Sequence, residues 1–265
     1  MGMRGGGDAP AMTTAALLAL ALFAILVGGL IGCIGIGGVL LVPTLIYLGG
    51  VDIRTAIAAA MFSYLLTGLI GAVIFARHGS IRWPMAIWLC AGAMPAAFAG
   101  SWASNVVNAT MLELIIAALI LLAGIRAWRP ETQRDGAESG FARPWLLATG
   151  AVTGFASALS GTGGPLVLVP LLIWLELPIL TAIGLSQAIQ LPIAALATAG
   201  NLVYGRLDLV LGATIASGLA LGSAIGAQLA HKLPLGLLRR IVAQVLILVG
   251  LWLLGQIGWR LFGVG

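Results

Sequence analysis

Charge is the scarcest property of this chain. Of 265 residues only 8% are Asp, Glu, Lys or Arg, against 61% hydrophobic, and mean hydropathy is +1.13. Soluble domains carry about a quarter charged residues, so this chain cannot build a water-facing surface of ordinary composition. Cysteine is almost missing: Cys33 and Cys90 lie inside apolar runs without metal-ligand spacing and read as small packing residues. Leu30-Ile31-Gly32-Cys33 has the form of a lipoprotein cleavage box. The apolar stretch before it is long and its leader holds one cation, Arg4, so the segment is expected to be retained. The two histidines, His78 and His231, fall in loops. No acid sits in the middle of an apolar run: Asp52, Glu113, Glu176 and Asp208 lie near run ends, and Glu131, Asp135 and Glu138 share one polar stretch. Carboxylate-based proton coupling therefore has no evident carrier. No paired His and acid, HExxH or Ser/His/Asp arrangement is in view, so neither an enzyme nor a cofactor or metal is expected.

What the chain has is apolar length. Runs such as 11–31 are long enough to enter or cross a bilayer. The pattern predicts a helix near 11–34, a Gly-rich break, a short apolar piece near 39–48, and spans near 55–76, 84–103 and 110–128. The polar stretch 129–143 follows as a loop. The pattern then recurs: a helix near 144–159, a second break, a short piece near 165–176, and spans near 181–204, 209–230 and 240–259.

The recurrence is an internal repeat. One constant shift carries Gly28 onto Gly154 and Gly35, Gly37 and Gly38 onto Gly161, Gly163 and Gly164. The same shift carries Thr55-Ala56-Ile57 onto Thr181-Ala182-Ile183, and Gly92, Ala96 and Gly100 onto Gly218, Gly222 and Gly226. The register slips by one at Pro43 and Pro170. If each broken helix and its short piece enter and leave on one side, three crossings remain per half, and an odd number inverts the second half. Putting Arg77–Arg82, Arg126–Arg143 and His231–Arg240 in the cytoplasm leaves outside only Arg4, Arg54, Arg206 and Arg260 of the 13 basic residues. Topology thus explains the net charge of +5 without nucleic acid. The expected fold is an all-α polytopic membrane protein of two inverted repeats. Each repeat is a Gly-broken helix with a short re-entrant piece plus three transmembrane spans. The first repeat occupies 1–128, a cytoplasmic linker 129–143, and the second repeat 144–265.

Matching breaks in two halves point to a transport site. Glycines Gly35, Gly37 and Gly38, with Gly161, Gly163 and Gly164, open the backbone, and short helices starting there offer free N–H groups and a positive dipole end to an anion. The competing reading is that these glycines only permit close helix packing. Near the breaks stand Ser63, Tyr64, Ser160 and Thr162, with Gln187 and Gln190 three apart on one helix face. Their amides and hydroxyls suit a bound oxyanion, or equally hydrogen bonds between helices. Asn201, near a span end, reads as a capping or loop residue. The rows Gly92/Ala96/Gly100 and Gly218/Gly222/Gly226 read as helix-packing surfaces.

The duplicated Gly35-Ile36-Gly37-Gly38…Pro43 and Gly161-Thr162-Gly163-Gly164…Pro170 resemble the sulfite exporter TauE/SafE family. Thr55-Ala56, Thr181-Ala182 and Asn201-Leu202-Val203-Tyr204-Gly205 fit the same pattern, which runs from about Gly28 to Trp252. Phe75 departs from it at the place equivalent to Asn201. The resemblance implies a permease of the plasma (inner) membrane that exports sulfite, sulfoacetate or a related organosulfonate. Its expected partners are a small anionic solute and the lipid bilayer, and a homodimer is compatible with the chain. The alternatives are a permease for another small anion or metabolite, or a membrane assembly partner that transports nothing.

Overall fold

The computed structural model describes residues 14–35, 37–128, 142–174, 177–203, 207–232 and 234–262. The linker expected at 129–143 lies outside these except for its last two residues. So do Arg4, Glu131, Asp135, Glu138, Glu176 and the segment Tyr204 to Arg206.

Every regular element among the described residues is helical. That is the solution lipid imposes on a backbone without water, because a helix satisfies its own N–H and C=O groups. The first half comprises α1 (Thr14–Ile34), a 3-10 turn (Gly38–Leu40) leading into α2 (Leu41–Tyr47), α3 (Ile53–Arg77), α4 (Trp83–Val106) and α5 (Ala109–Trp128). The second comprises α6 (Arg143–Ser160), α7 (Pro165–Trp174), α8 (Ile179–Val203), α9 (Leu209–Leu229) and α10 (Leu235–Phe262). Helices α3, α4, α8 and α9 are each long and apolar enough to cross a bilayer. Leu22, Ile87, Val210 and Leu221 stand well exposed on the helix surfaces, which suits lipid and not water.

The ends follow from local chemistry. Asp52 accepts from the amides of Arg54 and Thr55 and caps α3, and Asp208 accepts from Leu211 N–H and caps α9. These acids mark helix starts, as their position near run ends suggests. α3 closes with Gly79 at φ 69 and Ser80 N–H bonded to Phe75 O, a Schellman arrangement. The one boundary that differs clearly from expectation is α10, which starts at Leu235 and not near Arg240. Arginine can lay its stem along apolar surface and hold its charge at the interface, so a helix can run through arginines beside its apolar stretch.

The halves interlock through glycine seams. A methyl group on Gly28 would collide with Leu219 of α9, and its repeat mate Gly154 would collide with Ala93 of α4. In the same way Gly92 faces Leu147 while Gly218 faces Ala21, and Gly100 faces Phe155 while Gly226 faces Gly29. The shift that carries Gly28 onto Gly154 carries each of these contacts onto its partner. Along α1 and α9, and along α4 and α6, numbering rises together, so the helices are parallel. α3 and α8 instead pack antiparallel: Gly68 meets Leu191, Gly71 meets Gln187, and Ser80 meets Gly184. The expected packing rows are thus seams between the halves, where absent side chains let backbones touch.

Candidate functional site

Helix α1 ends at Ile34 and Gly35 turns the chain at φ 76; α6 ends at Ser160 and Gly161 turns it at φ 68. A side chain in this left-handed region is strained by its own Cβ. Gly163 is also left-handed, at φ 80, whereas its mate Gly37 is not, with φ −129. The breaks are therefore similar in position and different in detail.

Each break leans on the other half. A Cβ on Gly35 would lie 3.1 Å from Pro165 Cβ and 3.4 Å from Ser186 Oγ, and one on Gly161 would lie 2.9 Å from Val42 and 3.1 Å from Ile57. Gly37 is held against α1, with a Cβ there 2.7 Å from Val27 O. Gly38 is hemmed by the second break, a Cβ lying 2.7 Å from Thr162 O and 2.6 Å from the Tyr64 hydroxyl. Gly164 faces Ile189 and Ile193 of α8 at 3.3–3.7 Å.

Tyr64, on α3, joins the two breaks. Its ring is fully buried, 3.4 Å from where a Gly163 Cβ would stand. Its hydroxyl donates to Gly38 O at 2.7 Å, with Gly161 O at 3.2 Å as a second acceptor. One fully buried hydroxyl thus ties carbonyls that are far apart in the chain.

The other polar groups have specific commitments. The Ser160 hydroxyl donates to Ala156 O at 2.6 Å and lies 2.8 Å from Thr162 Oγ1. Since Ser160 has one proton and gives it to a carbonyl, Thr162 is the donor between the two hydroxyls. Gln187 Nε2 donates to Ile31 O at 2.7 Å, and Gln190 Nε2 to Thr67 Oγ1 at 2.8 Å. A carbonyl only accepts, so Ile31 fixes which way the Gln187 amide points. Both Oε1 atoms are buried without a protein partner. Ser63 is directed elsewhere: its hydroxyl donates to Ala59 O and reaches Gly212 O of α9, so it is not brought together with Tyr64 and the breaks.

The structure adds residues that the sequence reading did not select. Thr67 receives Gln190; it stands three residues after Tyr64, a spacing that shares a helix face. Asn201 is 1% exposed, and its Oδ1 accepts from Ser101 of α4 at 3.1 Å while Nδ2 is unpartnered. It is an interior residue and not a cap. On α6, Thr149, Thr153, Ser157 and Ser160 form a buried stripe at helical spacing, with Thr153 and Ser157 hydroxyls unpartnered. That spacing was the available signal. Among the described residues no group of three His, Cys, Asp or Glu is placed to hold a metal ion.

The family profile described as Sulfite exporter TauE/SafE matches residues 11–253. A Bacillus subtilis protein named Probable membrane transporter protein YdhB is 26% identical over 245 residues, covering 90% of this chain and 99% of its own length. A second from that organism, Probable membrane transporter protein YunE, is 25% identical and covers 90% of this chain and 96% of its own length. A Xylella fastidiosa protein named Probable membrane transporter protein is 29% identical, covering 89% of this chain and 92% of its own length. No solved structure matches. These likenesses extend through both glycine breaks and nearly the whole helical bundle, and the chain belongs to the sulfite exporter TauE/SafE family.

Proposed function

We propose that this membrane protein is a multi-pass permease of the plasma membrane. It carries a small sulfur-containing anion outward through a site between the two glycine breaks. The observation that carries this reading is the Tyr64 hydroxyl bonded across both breaks, at Gly38 O and Gly161 O. Two helix interruptions with no connection to each other would be packing defects. Two that meet on one fully buried hydroxyl form a shared polar centre.

The donor set supports an anion. The backbone hydrogen bonds of the second turn run from Gly161 N–H to Ser157 O and from Leu168 N–H to Gly164 O, and do not involve the amides of Thr162, Gly163 and Gly164. Of these, Gly164 opens α7, and its amide stands at the end where the helix dipole favours negative charge. Gln187 and Gln190 each keep one N–H beyond the bond described, together with an unpartnered Oε1. A solute that brings oxygens to the amides and one proton to a glutamine oxygen matches both needs. Hydrogensulfite is such a species, and the organosulfonates share its oxyanion end. No fixed cation is required, so the anion is held without being trapped.

The architecture supports alternating access by inverted repeats. The glycine seams exchange under one constant shift, while the equivalent helices α3 and α8 run antiparallel. A twofold axis relating antiparallel helices lies across them, in the plane of a bilayer, which is the inverted arrangement. The basic loops then face the cytoplasm. With 100 mV inside negative, each unit of negative charge gains about 2.3 kcal/mol on leaving, so export needs no carboxylate relay.

The test is flux of radiolabelled sulfite and sulfoacetate from proteoliposomes under an imposed potential, for the native protein and Gly163→Leu. Potential-dependent flux of either anion, lost in a variant that stays folded, supports the proposal. No flux of either anion in the native protein removes the substrate class.

A further inference from the structure

The only two histidines of the chain meet. His78 follows α3 and His231 follows α9, yet their rings stack with centroids 4.0 Å apart and planes 16° from parallel. Phe75, fully buried, packs its ring on His231 at 4.9 Å. We infer that this stack is a pH-sensitive latch on the cytoplasmic mouth of the permease, closed while the rings share at most one charge and released when both are protonated. The inference rests on the proposed transport reading for its meaning, and on the ring geometry for its mechanism.

The geometry fixes the protons. His78 Nδ1 lies 2.8 Å from Ile74 O and His231 Nδ1 lies 3.0 Å from Ala227 O, each the carbonyl four residues earlier. A carbonyl only accepts, so both Nδ1 atoms carry hydrogen and each neutral ring presents a bare Nε2. His231 Nε2 stands 3.4 Å from Ser80 Oγ, whose hydroxyl is then the donor. A second proton therefore arrives at Nε2. It places two like charges face to face and turns the Ser80 contact from donor-to-acceptor into one the hydroxyl must reverse. Imidazole is the side chain that takes up its proton between about pH 5 and 8.

Arg77 and Lys232 flank the two rings in sequence, and the opening turns of α8, which meet Ser80 at Gly184, carry no charge. The latch also adjoins the site. Ser80 backs onto Gly184, three residues before Gln187, and Gly71, four residues before Phe75, lies against the Gln187 amide. Parting the ends of α3 and α9 would uncover the Phe75 face and, one turn deeper, Gln187. At the other end of the pseudosymmetric bundle, the mates of Phe75 and His231 are Asn201 and Asn105, so the latch belongs to one mouth only.

The test needs no solute. Spin labels on Arg77→Cys and Lys232→Cys, both exposed, in a Cys33→Ala/Cys90→Ala background report the separation of the two ends in proteoliposomes. Between pH 7.5 and 5.5 the inter-label distance distribution is expected to shift to longer values, and His78→Phe, which keeps a ring and removes the charge, is expected to abolish the shift. His231→Phe serves as the second variant should His78→Phe not fold. A distance unaffected by pH, or a shift that persists in a folded Phe variant, overturns the latch. Because labels report opening without transport, a responding stack in a protein that moves no sulfite would sink the solute assignment alone.

Discussion

Replacing Tyr64 with phenylalanine isolates the contact on which the site depends. The ring keeps its place, since only one oxygen is removed and the packing partners are unchanged. Gly38 O loses a donor at 2.7 Å and Gly161 O loses its weaker contact at 3.2 Å. Gly38 O keeps the Leu41 N–H as a donor, so the loss is that of one ordinary hydrogen bond, about 0.5–1.5 kcal/mol. The loss is local, so it should appear as opening of the breaks before global unfolding. The reporters are Leu40 N–H, bonded to Gly37 O, and Leu168 N–H, bonded to Gly164 O. At about 1.4 kcal/mol per tenfold, hydrogen exchange at these amides should accelerate roughly 2- to 12-fold in Tyr64→Phe, while amides in the middle of α4 and α9 hold their rates. Unchanged exchange at Leu40 and Leu168, or a uniform rise through α4 and α9, would refute the idea that one hydroxyl ties the breaks together.

Other changes should behave as follows. In a double-mutant cycle, Thr67→Val and Gln190→Leu should show a coupling of about 0.6 kcal/mol, as is usual for interhelical side-chain bonds in membranes; unfolding in mixed micelles measures it. Gly222→Leu places a side chain where Ile25 O and Gly29 N already stand, so gel filtration in mild detergent should show loss of the folded species. Gly255→Leu, at a glycine with nothing within 4 Å, should run as the native protein does. Asp52→Ala removes the acceptor for two amides and should lower stability by about 1 kcal/mol, read from the same micelle titration.

The helices were legible because each is an apolar run closed by a turn, a cap or a loop of cations. Gly35 and Gly161, left-handed at the ends of α1 and α6, stand out in the sequence because they recur under the same shift that aligns Thr55-Ala56 with Thr181-Ala182. What the one-dimensional pattern does not carry is the pairing of helices distant in sequence. Tyr64 was selected beside Ser63, but only packing separates them: one turns to the breaks and the other to Gly212 of α9. Asn201 looked like an end residue because α8 closes at Val203, yet α4 covers it and Ser101 meets it. The histidines looked like separate loop residues for the same reason, since nothing local to His78 signals His231. Even α10 began earlier than its hydropathy suggested, because arginine at an interface does not end a helix.

The most direct test of the central claim compares four left-handed glycines by sulfite flux per folded molecule. Gly35 and Gly161 turn the breaks, whereas Gly50 and Gly79 turn loops and have nothing within 4 Å of an added Cβ. Alanine at any of the four incurs the left-handed strain of roughly 1–2 kcal/mol, so backbone strain is common to all. The account expects Gly35→Ala and Gly161→Ala to lose most of their flux, and Gly50→Ala and Gly79→Ala to keep theirs. Equal flux in all four folded variants would contradict a transport site between the breaks.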